Sequence, residues 1–105
     1  MEIKDLKELL RSLAKEEKLL ELKELLDSQY SVDISAALDE IELEELILFI
    51  NLLTPVEIAS IIEESNEELQ KRILDLIDIS VAIQVFSNMS TDDIADLLGI
   101  LYKLN

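Results

Sequence analysis

Three aspartates fall within five residues near the end of the chain, in the stretch MSTDDIADLLGIL (residues 89–101). Carboxylates suit hard divalent cations, and Mg²⁺ commonly takes one or two of them while keeping several waters. Asp92 and Asp96 are four residues apart and would share one face of a helix, where their like charges repel by roughly 0.2–0.5 kcal/mol. A bound cation would relieve that repulsion.

Helix capping explains part of the same cluster. Ser90 suits the N-cap position, so Asp92 and Asp93 would be the second and third helical residues, close to the positive end of the helix dipole. Ser90 with Asp93 also approximates a capping box. Capping is sufficient for Asp93 but not for Asp96, which has no Lys or Arg to balance it within residues 89–102. The residues alone leave two interpretations of Asp96 open, a solvated acidic face and a cation-binding pair with Asp92.

The chain carries a net charge of −15, with 24 acidic against 9 basic residues. The excess is uneven, since residues 1–29 hold six cations against eight acids and residues 30–105 hold three against sixteen. Such a surface repels nucleic-acid phosphates and anionic lipid headgroups, and it attracts cations or a basic partner. We therefore expect no nucleic-acid binding.

The composition also limits the chemistry. The chain has no cysteine and no histidine, which removes thiolate ligands, cysteine nucleophiles and the commonest general base. The serines then have no partner base, and we expect no enzyme activity. No apolar run approaches the roughly 20 residues that span a bilayer, and the mixed-charge start MEIKDLKELL is unlike a signal peptide, so a cytoplasmic location is expected.

A twelve-residue repeat begins at residue 30 and gives six units. Places 5, 8, 9 and 12 of each unit are mostly apolar, which is one face of an α-helix. The first place of the last four units is a predicted N-cap, occupied by Thr54, Asn66, Asp78 and Ser90. Each unit is thus a helix of roughly nine or ten residues, about 15 Å long, and too short to be stable alone. Stacking of neighbouring helices into a solenoid is the expected result.

Residues 1–29 differ from the repeat and carry two apolar stripes. The first stripe is Ile3, Leu6, Leu9, Leu10 and Leu13, and the second is Leu19, Leu20, Leu22, Leu25 and Leu26. Residues 16–20 either bend the segment into a helical hairpin or leave one long helix. We predict a single domain, with residues 1–29 as an N-terminal helical cap and residues 30–105 as a six-unit short-helix solenoid.

The openings DISAALDEI and PVEIASII, with NMSTDDIADLL, resemble the cytoplasmic N-terminal domain of MgtE-type magnesium transporters over about residues 20–102. The most specific stretch is STDDIADLL, close to the family pattern D-D-x-A-D-L-L. The predicted fold is all-α, a right-handed superhelical solenoid of short helices with a roughly 12-residue repeat.

The resemblance implies a regulatory magnesium sensor at the cytoplasmic face of the membrane. Its partners would be the CBS domains and the membrane domain of the same transporter, with Mg²⁺ bridging acidic faces to hold the channel closed and any dimer forming through those other domains. The implied metal residues are Asp92 and Asp96, with Asp93 between them, and binding by this chain alone would be weak. Another acidic position of the family is Ser60 here.

The sequence leaves open a second possible cation site and a second possible function. Glu63, Glu64, Glu67 and Glu68 span a helix junction and could line a cation site, although acidic runs at helix ends are usually solvated. A stand-alone protein-interaction adaptor, similar to the short-helix solenoid of the flagellar motor switch protein FliG, is the alternative function. The E-H-P-Q motif of that protein cannot occur here, because the chain has no histidine.

Overall fold

The computed structural model describes the backbone of residues 1–103 and the side chains of residues 1–100, and Leu101, a predicted core position, lies outside the described side chains. Within this part the chain forms helices and no strand, which confirms the all-α prediction. The helices are α1 (Ile3–Lys15), α2 (Leu19–Ser28), α3 (Ser31–Leu38), α4 (Leu43–Asn51), α5 (Pro55–Glu64), α6 (Glu67–Leu76), α7 (Ile79–Phe86) and α8 (Thr91–Lys103).

The chain divides into two units, Met1–Leu53 and Thr54–Asn105. In the first unit α1 packs against α2, α3 and α4, so the predicted cap is built into the same unit as the first two repeats. In the second unit α5 packs against α6 and α7, and α6 packs against α8. The right-handed superhelical course of the six repeats stays a prediction.

A left-handed turn separates α1 from α2. Glu17 has a φ of 54°. Its N–H donates to the carbonyl of Ala14 at 3.2 Å, and the N–H of Lys18 donates to the carbonyl of Leu13 at 3.0 Å. This pair of bonds is the Schellman motif, which ends a helix by satisfying its last carbonyls. Residues 1–29 therefore form a helical hairpin, one of the two predicted alternatives.

The eighth place is occupied by a buried residue in each of the six twelve-residue repeats. These residues are Ala37, Phe49, Ile61, Ile73, Val85 and Leu97, all at most 3% exposed. The residue at the ninth place is buried in the first three repeats. In the last three repeats it is more exposed to solvent, up to 41% at Leu98. Leu20, predicted to lie on an apolar stripe, is 81% exposed. It stands about 200° around α2 from the buried Leu22, so the two side chains point in opposite directions.

All four predicted N-caps of the later helices are confirmed by hydrogen bonds. The oxygens of Thr54, Asn66, Asp78 and Ser90 accept the backbone N–H three residues on, at 3.3, 2.8, 2.9 and 3.1 Å. Thr54 also forms a full capping box with Glu57, and Pro55 is the first residue of α5 as predicted. Helices α1 to α4 have no side-chain cap bond at their N-termini.

An ion-pair cluster links α1 to α4. The guanidinium of Arg11 donates from Nε to Oε2 of Glu45 and from Nη1 to Oε1 of Glu8, the latter at 2.9 Å. Its hydrogen bond to Glu45, followed by the charges of both glutamates, raises the pKa of Arg11 above its ordinary value. Glu45 is buried, and the arginine supplies the partner that a buried carboxylate requires.

Candidate acidic site on the last helix

Ser90 fixes the start of α8 and therefore the positions of the three aspartates. Its Oγ accepts the N–H of Asp93 at 3.1 Å, and its carbonyl accepts the N–H of Ile94 at 3.0 Å. Asp92 and Asp93 thus lie in the first turn, where the helix dipole favours negative charge. Asp96 lies one turn further on, beyond the strongest influence of that dipole.

The three carboxylates do not all point to the same surroundings. Asp92 and Asp96 are exposed, whereas Asp93 is half-buried. Asp93 and Asp96 line a groove, and Asp92 is not among the lining residues. The sequence assigned Asp93 to capping and paired Asp92 with Asp96. The structure shows in addition that Asp93 lines the groove.

The groove belongs to the second unit and has a volume of about 650 Å³. Glu63 and Glu67, at the α5–α6 junction, contribute two further carboxylates to it. Glu64 and Glu68, from the same acidic run, are exposed and are not lining residues. The other lining residues are Ser65, Asn66, Gln70, Met89, Ala95, Gly99 and Ile100. The sequence placed the glutamates at a junction, but only the packing of α6 against α8 brings two of them to the groove.

The electrostatics of the groove favour positive charge. No Lys or Arg is among its described lining residues, which include four carboxylates. Helix α5 has no basic residue in its last turn, so the negative end of its dipole is not offset there. Gln70 donates from Nε2 to the carbonyl of Ile62 at 2.8 Å. Its Oε1 is buried and has no hydrogen-bond partner among the described residues.

A complete metal site is not present in the part of the chain that the structure describes. No three or more acidic side chains there are grouped so that they could hold a metal ion together. One or two carboxylates are nevertheless enough for Mg²⁺ when waters or a second protein surface supply the other ligands. Ser60, at the position where the resemblance expects an acid, is exposed on α5.

The helices of the described residues are at most 13 residues long. None of those helices is both long enough and apolar enough to cross a membrane.

Comparison with known proteins gives a match to a protein family. The family described as the MgtE intracellular N domain matches residues 29–103, which include the repeat and all three aspartates of α8. No curated protein and no solved structure matches the chain.

Proposed function

The chain belongs to the MgtE intracellular N domain family, and we propose that it is the magnesium-responsive regulatory domain of an MgtE-like transporter. The observation that carries the proposal is the family match over residues 29–103, which covers Asp92, Asp93 and Asp96. The exposure of Asp92 and Asp96 supports it, because both carboxylates are accessible to a cation on the surface of α8.

The proposed mechanism is electrostatic. Without the cation, the acidic face of α8 and an acidic face on the neighbouring CBS domains repel each other. Mg²⁺ bound between the faces joins carboxylates from both sides and keeps several of its waters. The conformational equilibrium then shifts by the difference in Mg²⁺ affinity between the separated and the joined states, and the joined state favours channel closure.

Each aspartate has its own part in this proposal. Asp92 and Asp96 are the bridging carboxylates, and Asp93 adds negative charge beside them. Because the chain supplies only half of the ligands, its own affinity for Mg²⁺ is expected to be weak. In the cell the domain would lie at the cytoplasmic face of the membrane, beside the CBS domains of its own transporter.

The test uses a polypeptide that joins this domain to its CBS domains. Mg²⁺ should protect the linker between them from protease, and Asp92→Asn with Asp96→Asn should raise the Mg²⁺ concentration needed for protection by about tenfold or more, equivalent to about 1.4 kcal/mol of coupling. Glu64→Gln with Glu68→Gln removes the same charge from exposed positions and should leave that concentration almost unchanged.

Protection that needs the same Mg²⁺ concentration in the double aspartate variant would contradict the bridging role. Absence of any Mg²⁺-dependent protection in the unsubstituted polypeptide would favour the adaptor function, in which the helical repeat binds a protein without sensing metal.

A further inference from the structure

We propose that the groove lined by α6 and α8 is a docking site for a basic, amphipathic peptide segment. The proposal goes beyond magnesium sensing, because the occupant is a protein segment with cationic and apolar side chains. It rests on the shape of the groove and on its charge.

The groove has the size and surface of a binding site for side chains. Its volume of about 650 Å³ lies within the roughly 300–1,000 Å³ typical of ligand pockets, far more than a single hydrated cation fills. Met89, Ala95 and Ile100 provide apolar surface in it. A Cβ placed on Gly99, the one glycine of the chain, would meet nothing within 4 Å among the described residues, apart from its chain neighbours and the backbone of its own helix. The helix is therefore open to an incoming side chain at this position.

The charge of the groove selects among peptides. Glu63 and Glu67 line the groove from α5 and α6, and Asp93 and Asp96 line it from α8. An uncharged apolar peptide would cover these carboxylates without pairing them, which costs free energy. A second copy of the chain would bring another net charge of −15 and be repelled. Lysine or arginine side chains beside apolar ones satisfy both requirements, with charge-assisted hydrogen bonds to the carboxylates.

The donors of a basic segment match the acceptors that line the groove. Gln70, one of the lining residues, is held through its Nε2 by the carbonyl of Ile62 at 2.8 Å. Lysine and arginine carry only donors, so a basic segment is the class of ligand that complements the four carboxylates.

The probe is a short fluorescein-labelled peptide with leucines and lysines at helical spacing, measured by fluorescence anisotropy at physiological ionic strength without Mg²⁺. Because Mg²⁺ is absent, the result is independent of the proposed sensing function. Glu67→Gln with Asp96→Asn should weaken binding by about tenfold or more, since two carboxylates lose their charge-assisted hydrogen bonds to the peptide. Glu64→Gln with Glu68→Gln, the matched control outside the groove, should change the Kd by less than about twofold.

Gly99→Leu tests the shape without changing any charge. The new side chain enters open space, and leucine is a better helix former than glycine, so the fold should be kept. Circular dichroism should show an unchanged or raised thermal midpoint, while peptide affinity should fall by about tenfold because the groove is filled.

Three results would overturn the docking site. Equal losses in the groove variant and the matched control would indicate general attraction to an acidic chain. Unchanged affinity in Gly99→Leu would place the peptide elsewhere. Equal affinity for a peptide with serine in place of every leucine, or for one with glutamate in place of every lysine, would remove the requirement for a basic amphipathic partner.

Discussion

Helices α1 and α8 are both 13 residues long, one in each unit, yet they use charge in opposite ways. Helix α1 carries both basic and acidic residues. Its Arg11 pairs with Glu8 on the same helix and with the buried Glu45 on α4. Among the described side chains of α8 the charged residues are three aspartates. The paired charges of α1 join it to α4, whereas the three aspartates of α8 make no ion pair within the described residues.

The largest expected effects come from the buried leucines of these two helices. Leu10 on α1 and Leu97 on α8 are each 1% exposed, and a buried Leu→Ala change costs about 2–5 kcal/mol. Leu10→Ala should be the more damaging, since α1 packs against three helices and α8 mainly against α6. Urea denaturation followed by circular dichroism measures both. A smaller loss for Leu10→Ala than for Leu97→Ala would contradict this difference in packing.

Loss of the cation of α1 should come next. Arg11→Gln leaves the buried Glu45 without its charged partner, and an uncompensated buried charge destabilises the fold. The urea midpoint should fall clearly, although less than in Leu10→Ala. Glu8→Gln removes only the exposed partner and should have a much smaller effect. Equal midpoints for Arg11→Gln and Glu8→Gln would show that the contact with Glu45 contributes nothing.

The N-caps give the third difference between the helices. Ser90→Ala removes the oxygen that accepts the N–H of Asp93 and should cost about 1 kcal/mol. Glu2→Ala at the start of α1 should cost almost nothing by the same route, because that N-cap has no side-chain cap bond. Thermal unfolding of both variants checks this, and a matching loss in Glu2→Ala would refute the assignment of different capping to the two helices.

The smallest predicted effect has the opposite sign. Asp96→Asn should stabilise the fold by roughly 0.2–0.5 kcal/mol, because it removes like-charge repulsion with Asp92 at the i, i+4 spacing. The gain should shrink at high salt, since both side chains are exposed. A loss of stability in low salt would indicate that Asp96 already has a stabilising partner.

The twelve-residue register predicted the fold closely, because it records which side chains face the core. It placed Val85 and Leu97 in the core correctly. It did not predict the exposure of Leu20, because the segment before the repeat has leucines on both sides of α2.

Only part of the candidate site could be predicted from the sequence. Local pattern predicted that Ser90 caps α8, and the hydrogen bond to Asp93 confirms it. The groove depends on α6 packing against α8, so neighbours in sequence could not show that Glu63 and Glu67 join Asp93 there. The ion pair of Arg11 and Glu45 could not be predicted for the same reason, because the two residues are 34 positions apart in the sequence.

The central proposal is that the exposed aspartates of α8, Asp92 and Asp96, bind the cation. NMR of the isotope-labelled chain, with Mn²⁺ as a paramagnetic substitute for Mg²⁺, tests it most directly. Broadening should be strongest at the amides of residues 92–96, should disappear in Asp92→Asn with Asp96→Asn, and should persist in Glu64→Gln with Glu68→Gln. Broadening of equal strength around the acids of α1, or its persistence in the double aspartate variant, would contradict the claim.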